Sequence, residues 1–320
     1  MKRIFVAIMA LGALVSCSKD ELVSVNRQAI QFGNAFVENS TRATDPSYSA
    51  KDIASFNVYG TVEGNVIFNG NTVTKGDAAY NAAWTLSGTP QYWVEGADYV
   101  FVGIVDGNKT NVTKTNLVNG MPSTIEYTAD GATDLLCQTI EMTAEEDEDD
   151  LVAFNFSHLL SKVNFTVNNN SSSAAGYSFV VKNITFAGNT KGVYNVANET
   201  WGTFTTGNTV IGNGTDKNIV VATGATSNEL GAEVLFLPGT YTISFTVDIL
   251  YDGKLITTTN YPASGSTYSH TLEQNHAYNF NVEVSVGNPI KFTVSEQPTW
   301  ENGNTHDSDS DGTNDYVPVE

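Results

Sequence analysis

Two stretches of strict alternation constrain this chain more than anything else in it. From Tyr241 to Ile249 every second residue is apolar (Tyr241, Ile243, Phe245, Val247, Ile249), and the partners between them are Thr, Ser, Thr and Asp. Tyr278 to Val286 repeats the pattern with Tyr278, Phe280, Val282, Val284 and Val286. A period of two places one face of an extended strand on a core and the other in water. From Ile53 onward the same period recurs nearly everywhere. Asp252-Gly253 makes a tight turn out of the first strand into Leu255 and Ile256, and Asn69-Gly70-Asn71 reads as another hairpin turn. Tyr99-Val100-Phe101-Val102-Gly103-Ile104 is short and nearly all apolar, as expected of a strand buried on both faces. No long amphipathic helix competes with these signals after residue 43. The reading is an all-β chain of tandem β-sandwiches, with a boundary near residue 155.

The first forty-odd residues are different. Lys2 and Arg3 precede an apolar run, Ile4 to Val15, that is too short to span a bilayer and fits the core of a signal peptide. It ends in Leu14-Val15-Ser16-Cys17, a bacterial lipobox, which makes Cys17 the expected acylation site and residues 1–16 the signal peptide. Ser18-Lys19-Asp20-Glu21 resembles the surface-export signal of Bacteroides-type lipoproteins. A candidate half-buried strand follows, with Ile30 and Phe32 alternating with polar neighbours and Phe36 close behind. A polar loop then carries Arg42 and Ala43.

The chain holds three arginines, Arg3, Arg27 and Arg42. From Ala43 onward there are ten Lys, 32 acids and no Arg, a net of -22. Two explanations fit the missing arginine: avoidance of an arginine-specific protease that must cut only the leader, or drift in an acidic protein. The charge excludes non-specific binding to nucleic acid backbones. With Cys17 lipidated, Cys137 has no disulfide partner, and its apolar setting marks a structural thiol.

No catalytic set emerges. The four histidines, at 158, 270, 276 and 306, stand beside no nucleophile motif, and there is no phosphate loop, His-Glu-x-x-His or Cys-x-x-Cys. His158 reads as a satisfied structural histidine. Trp84, Tyr92 and Trp93 fit either a sugar-stacking platform or core packing, with core favoured. The acidic run Glu145 to Asp150 reads as a solvated loop. In the tail, Asp307, Asp309, Asp311 and Asp315 have partial EF-hand spacing with Gly312 in the turn, but Pro318 stands where a bidentate Glu belongs. They form a weak calcium candidate; the expectation is no cofactor and no enzyme.

Taken together these residues resemble the fimbrillin family, the type V pilins of Bacteroidia. The resemblance runs from the lipobox and the Thr41-Arg42-Ala43-Thr44 loop through Asp134-Leu135-Leu136 and Phe156-Ser-His158-Leu-Leu-Ser-Lys162-Val163. It continues through Leu237-Pro238 and Tyr278-Asn-Phe280-Asn-Val282 to Trp300. It implies two transthyretin-like Greek-key β-sandwich domains, at 43–155 and 156–300, preceded by a propeptide at 17–42. It implies export to the outer membrane on the Cys17 lipid, cutting between Arg42 and Ala43 by an arginine-specific protease, and polymerisation with other pilin subunits by strand exchange. The removable strand would carry Ile30, Phe32 and Phe36. The candidate donor strand lies in the acidic tail, 301–320, at Tyr316, Val317 and Val319, but it is short and contains Pro318. The adhesive role would sit in the fimbrium at the cell surface, toward a host or bacterial ligand the sequence does not name. The rival reading is a glycan-binding outer-membrane surface lipoprotein that does not polymerise.

Overall fold

The computed structural model describes residues 28–37, 53–76, 84–105, 112–145, 151–171, 176–210, 219–222, 226–227 and 233–297. Among them there is no helix, and so none long and apolar enough to cross a membrane. The protein is all-β, and its sheets pack as β-sandwiches.

The first part of the chain runs through β1 (Phe32–Val37), β2 (Ser55–Val62), β3 (Asn65–Lys75), β4 (Trp84–Leu86), β5 (Asp98–Val105), β6 (Val112–Val118), β7 (Met121–Thr128), β8 (Leu136–Thr143) and β9 (Val152–His158). Seven of these form one sheet in the order β1-β9-β8-β5-β2-β3-β4. Its strands enclose a core of Phe56, Phe68, Tyr99, Phe101, Phe154 and Phe156. β5 is buried on both faces, as its continuous apolar run predicts. Tyr99 and Phe101 point into this core, while Val102 and Ile104 point into a second one behind the sheet.

The expected hairpin at Asn69-Gly70-Asn71 is a correction. β2 and β3 turn at Glu63-Gly64, both in the left-handed region, and β3 runs straight through residues 69–71. Gly70 is the extra residue of a bulge: Tyr59 faces Asn69 and Val58 faces Asn71. Its φ of 75° and the Tyr59 hydroxyl, 3.0 Å from where a Cβ would sit, are what require glycine there. A glycine between two Asn residues carries the same local signal in a bulge as in a turn.

The second part continues with β10 (Ser161–Asn169), β11 (Tyr177–Asn195), β12 (Thr200–Val210), β13 (Ile219–Ala222), β14 (Thr226–Ser227), β15 (Val234–Phe236), β16 (Gly239–Tyr251), β17 (Lys254–Tyr261), β18 (Ser269–Leu272), β19 (Ala277–Val284) and β20 (Lys291–Gln297). The alternating stretches become β16 and β19, which face each other across the core from two sheets. One sheet holds β14-β10-β19-β20, with β15 also paired to β10. The other holds β17-β16-β11-β7-β6, with β12, β13 and β18 paired alongside. Phe165, Phe179, Phe186, Phe236, Phe245 and Phe280 fill the space between them. The Asp252-Gly253 turn closes β16 onto β17 with both residues at positive φ, as the sequence predicts.

β11 ties the two parts together. Its first residues pair with β16, and Lys191 to Asn195 pair with β7. The β6–β7 hairpin thus leaves the seven-stranded sheet's portion of the chain and joins the later sheet. Between the parts lies a third core of Val102, Ile104, Ile125, Tyr127, Leu135, Leu159, Leu160, Tyr194 and Leu237.

Candidate functional site: a strand held between two sheet edges

The seven-stranded sheet ends in β1 and β4, and the segment from Gln28 to Val37 that contains β1 bonds to β9 on one side and to the Gln91–Trp93 stretch that follows β4 on the other. Toward β4, the Ile30 N–H donates to the Gln91 carbonyl (2.8 Å) and the Trp93 N–H donates to the Gln28 carbonyl (3.0 Å), with Ala29 opposite Tyr92. Toward β9, the Val152 N–H donates to the Gln31 carbonyl (2.9 Å), and Phe32 to Val37 run parallel to Val152 to Phe156. The segment is therefore hydrogen-bonded to the Gln91–Trp93 stretch through Gln28 and Ile30 and to β9 from Gln31 onward.

The alternation seen in the sequence decides which side chains it buries. Ile30 is 3% exposed and Phe32 4%, while Gln31 between them is exposed. The Phe32 ring sits in a box of four others. Its centroid is 5.4 Å from Phe68, 5.9 Å from Phe101, and 6.3 Å from both Phe56 and Phe154. The first three contacts are edge-on and the fourth stacked, arrangements that satisfy the ring quadrupoles better than a face-to-face sandwich. Gly33 lies beneath Leu151, whose Cδ1 is 2.6 Å from where a Cβ would be. Ala35 is fully buried. The Phe36 backbone faces Asn155 across β9.

Without this segment, the Gln91 carbonyl and the Trp93 and Val152 N–H groups lose their partners, and the box of phenylalanines opens to water. Unpaired edge groups beside an apolar stripe are what an added strand satisfies.

Trp84 and Trp93 do not form a platform with Tyr92. Trp93 is buried edge-on against Tyr99 at 4.8 Å, and Trp84, half-buried, packs on Phe56 at 5.5 Å at the margin of the core. Tyr92 alone points outward. His158 is buried, and its Nδ1 lies 2.5 Å from Asp134 Oδ2. That pair sits at the joint between the two parts, where the Leu159 N–H donates to the Leu135 carbonyl and the Trp201 indole N–H donates to the Leu159 carbonyl. The Asp134-Leu135-Leu136 and His158-Leu159-Leu160 motifs, far apart in sequence, are thus one structure. Cys137 is buried beside them. Burial pushes its thiol up to about 12, with the Glu199 carboxylate adding to the effect, so the thiol stays protonated and unreactive at neutral pH.

Among the described residues, Glu273, His276 and Glu296 bring three potential metal-ligating atoms within 4.8 Å of one another. They also satisfy each other: His276 Nδ1 is 2.6 Å from Glu296 Oε1, and the Tyr278 hydroxyl donates to the same oxygen. The network ties the turn before β19 to β20. Cys17, Arg42, Ala43, Tyr316, Val317 and Val319 lie outside the described residues, as do the calcium candidates Asp307, Asp309, Asp311 and Asp315 and the side chain of Phe36.

The sequence did not show the second wall of the slot, formed by the backbone at Gln91 and Trp93, or the cover supplied by Leu151. Gly33 directly after Phe32 was the one local sign that another group approaches closely there.

A family model described as fimbrillin-like matches residues 41–298. The chain belongs to the fimbrillin-like family. No curated protein matches the sequence. A fimbrial protein from Bacteroides vulgatus ATCC 8482 is similar in structure, with a TM-score of 0.62 at 14% identity over 84% of this chain and 99% of that one. A proposed cell adhesion protein from Bacteroides uniformis ATCC 8492 has a TM-score of 0.52 at 19% identity, over 85% of this chain and 98% of that one. At such identities the likeness is one of fold. This fimbrillin-like chain shares its β-sandwich architecture with both.

Proposed function

We propose that this protein is a structural and adhesive subunit of a fimbrium, stalk or tip, that assembles with other pilin subunits by strand exchange and performs no catalysis. It is exported as a lipoprotein acylated on Cys17 and held at the outer membrane until an arginine-specific protease cuts between Arg42 and Ala43. The cut releases the segment bearing Ile30, Phe32 and Phe36 together with the lipid. The vacated slot between β9 and the Gln91–Trp93 stretch then takes a strand from another subunit. The body left behind is two sandwich domains meeting near residue 155, and the tail residues Tyr316, Val317 and Val319 are the candidate donor in this chain.

The observation that carries the reading is the placement of residues 28–37. They complete the N-terminal core and bond to β9 on one side and to Gln91–Trp93 on the other, yet they precede the last arginine of the chain. A segment that stabilises this much and can be severed at one point is suited to replacement by a strand of like pattern. Membership of the fimbrillin-like family supports the same reading. The rival, a glycan-binding lipoprotein, needed an exposed platform of Trp84, Tyr92 and Trp93, but Trp93 is buried against Tyr99 and Trp84 is half-buried on Phe56.

Limited digestion of residues 18–320 with an arginine-specific protease tests this, followed by intact mass and an unheated denaturing gel. The expected result is a product beginning at Ala43 and a heat-labile ladder, either alone or on adding partner subunits. Resistance at Arg42 would contradict the proposal.

A further inference from the structure

The slot reads more than alternation. Its inner wall fits one large ring, because Phe56, Phe68, Phe101 and Phe154 surround the Phe32 position on four sides. Its outer wall crowds the next residue, because Leu151 Cδ1 lies 2.6 Å from where a Cβ at Gly33 would sit and must be pushed aside by any side chain there. Two residues earlier it buries a branched aliphatic group, Ile30, and three residues after the ring it encloses the methyl of Ala35. The occupant's pattern therefore places an aliphatic residue first, an aromatic third, glycine fourth and alanine sixth.

The tail stretch ending at Glu320 does not carry that pattern with Tyr316, Val317 or Val319 in the ring position. With Tyr316 in the ring box, Asn314 falls at the Ile30 position and Val317 falls under Leu151. With Val317 and Val319 at the Ile30 and Phe32 positions, a valine half-fills a box built for a ring, and Glu320 falls under Leu151. Underfilling such a box leaves a cavity among rigid rings, and adding a Cβ under Leu151 forces it aside.

We infer that the slot is selective for a strand with an aromatic residue followed directly by glycine, and that the tail stretch 310–320 of a second copy is a poor occupant of it. Phe32 and Gly33 are the specificity-determining positions of the bound strand; Phe68, Phe101, Phe154 and Leu151 are those of the slot. This rests on the strand-exchange reading above and sharpens it to a joint with a stated occupant pattern.

The test uses the chain from residue 18, cut at Arg42, and fluorescent peptides of residues 28–38 offered at increasing concentration. Displacement of the severed segment is followed by native mass spectrometry and anisotropy. The unaltered peptide should exchange in. The Phe32→Ala peptide should bind about a hundredfold or more weaker, and the Gly33→Val peptide about tenfold weaker. A peptide of residues 310–320 should bind no better than Phe32→Ala. A Leu151→Ala slot should recover most of the loss with Gly33→Val, which a merely weakened fold would not do. Equal binding of the unaltered and Phe32→Ala peptides, or of the tail peptide and the unaltered one, would overturn the selectivity while leaving strand exchange standing. Failure of every peptide to exchange, the unaltered one included, would overturn strand exchange and this inference with it.

Discussion

The two sandwiches differ in who completes the core. In the later one, Phe165, Phe186, Phe245, Phe280 and Phe292 all come from strands between residues 161 and 297, and the polypeptide that builds the core is the polypeptide that closes it. In the earlier one, the ring at the centre of the box, Phe32, is supplied from upstream of Arg42. Packing quality does not separate them: Phe280 is edge-on to Phe186 at 5.3 Å, and Phe32 to Phe68 at 5.4 Å. The lesson is that ring packing of the same geometry can be completed by a segment that lies far upstream of the strands it packs on.

The sharpest way to break this comparison is to remove the two rings in turn. Phe280→Ala and Phe32→Ala should each cost about 3–5 kcal/mol in the uncut chain, read as loss of thermal or urea stability. They should part after cutting at Arg42 and removal of the segment. Phe280→Ala should keep its full effect on the later sandwich, and Phe32→Ala should have none. If Phe32→Ala costs nothing in the uncut chain, the segment is not part of the core.

A smaller effect separates the glycines. A Cβ at Gly188 would sit 2.3 Å from the Tyr241 ring, which is fully buried and held by hydrogen bonds from its hydroxyl to the Asn189 and Leu237 carbonyls. Gly188→Ala should therefore destabilise by about 1–3 kcal/mol. A Cβ at Gly33 comes closest to the Cδ1 end of Leu151, a side chain 44% exposed. Gly33→Ala should cost roughly 1 kcal/mol or less in denaturant titrations, since only a flexible side-chain end must move. An equal cost at both would mean that the outer wall of the slot is as rigid as the later core.

The smallest effect is one of pH and belongs to the later sandwich. His270 lies against Tyr278 and Phe280, its Nε2 is buried without a hydrogen-bond partner among the described residues, and burial holds its pKa below 6.5 despite the nearby Glu296 carboxylate. The unfolded chain therefore takes up the proton first as pH falls. The contribution is complete above about pH 6.5 and is lost as pH drops through the lower folded value. Thermal melts at pH 7.5 and 5.5 should show a drop that His270→Phe reduces. A drop unchanged by that substitution would assign the pH response to other groups.

Much of this was legible in the sequence, and for local reasons. The period of two is a property of single strands, so β16, β19 and the burial of Ile30 and Phe32 follow from it directly. The two-faced burial of β5 follows from an uninterrupted apolar run. What could not be read is pairing over distance. Nothing near Lys191 says that β11 runs for nineteen residues and bonds to β7, because its Asn, Thr and Gly residues carry a weak strand signal. His158 could be judged structural because no Cys, carboxylate or second His stands at a useful spacing on its own element, but Asp134, its partner, stands 24 residues away. The slot was half legible. Its occupant announces itself by alternation, while the walls at Gln91, Trp93 and Val152 contribute backbone groups, which any sequence supplies.

Amide hydrogen exchange on the chain from residue 18, before and after cutting at Arg42 and at sub-micromolar concentration, tests the central claim most directly. Dilution favours departure of the severed segment. The account predicts that the Trp93 and Val152 amides lose protection after the cut while those of Phe245 and Phe280 keep theirs. Unchanged protection at Trp93 and Val152, or equal loss in both sandwiches, would contradict it.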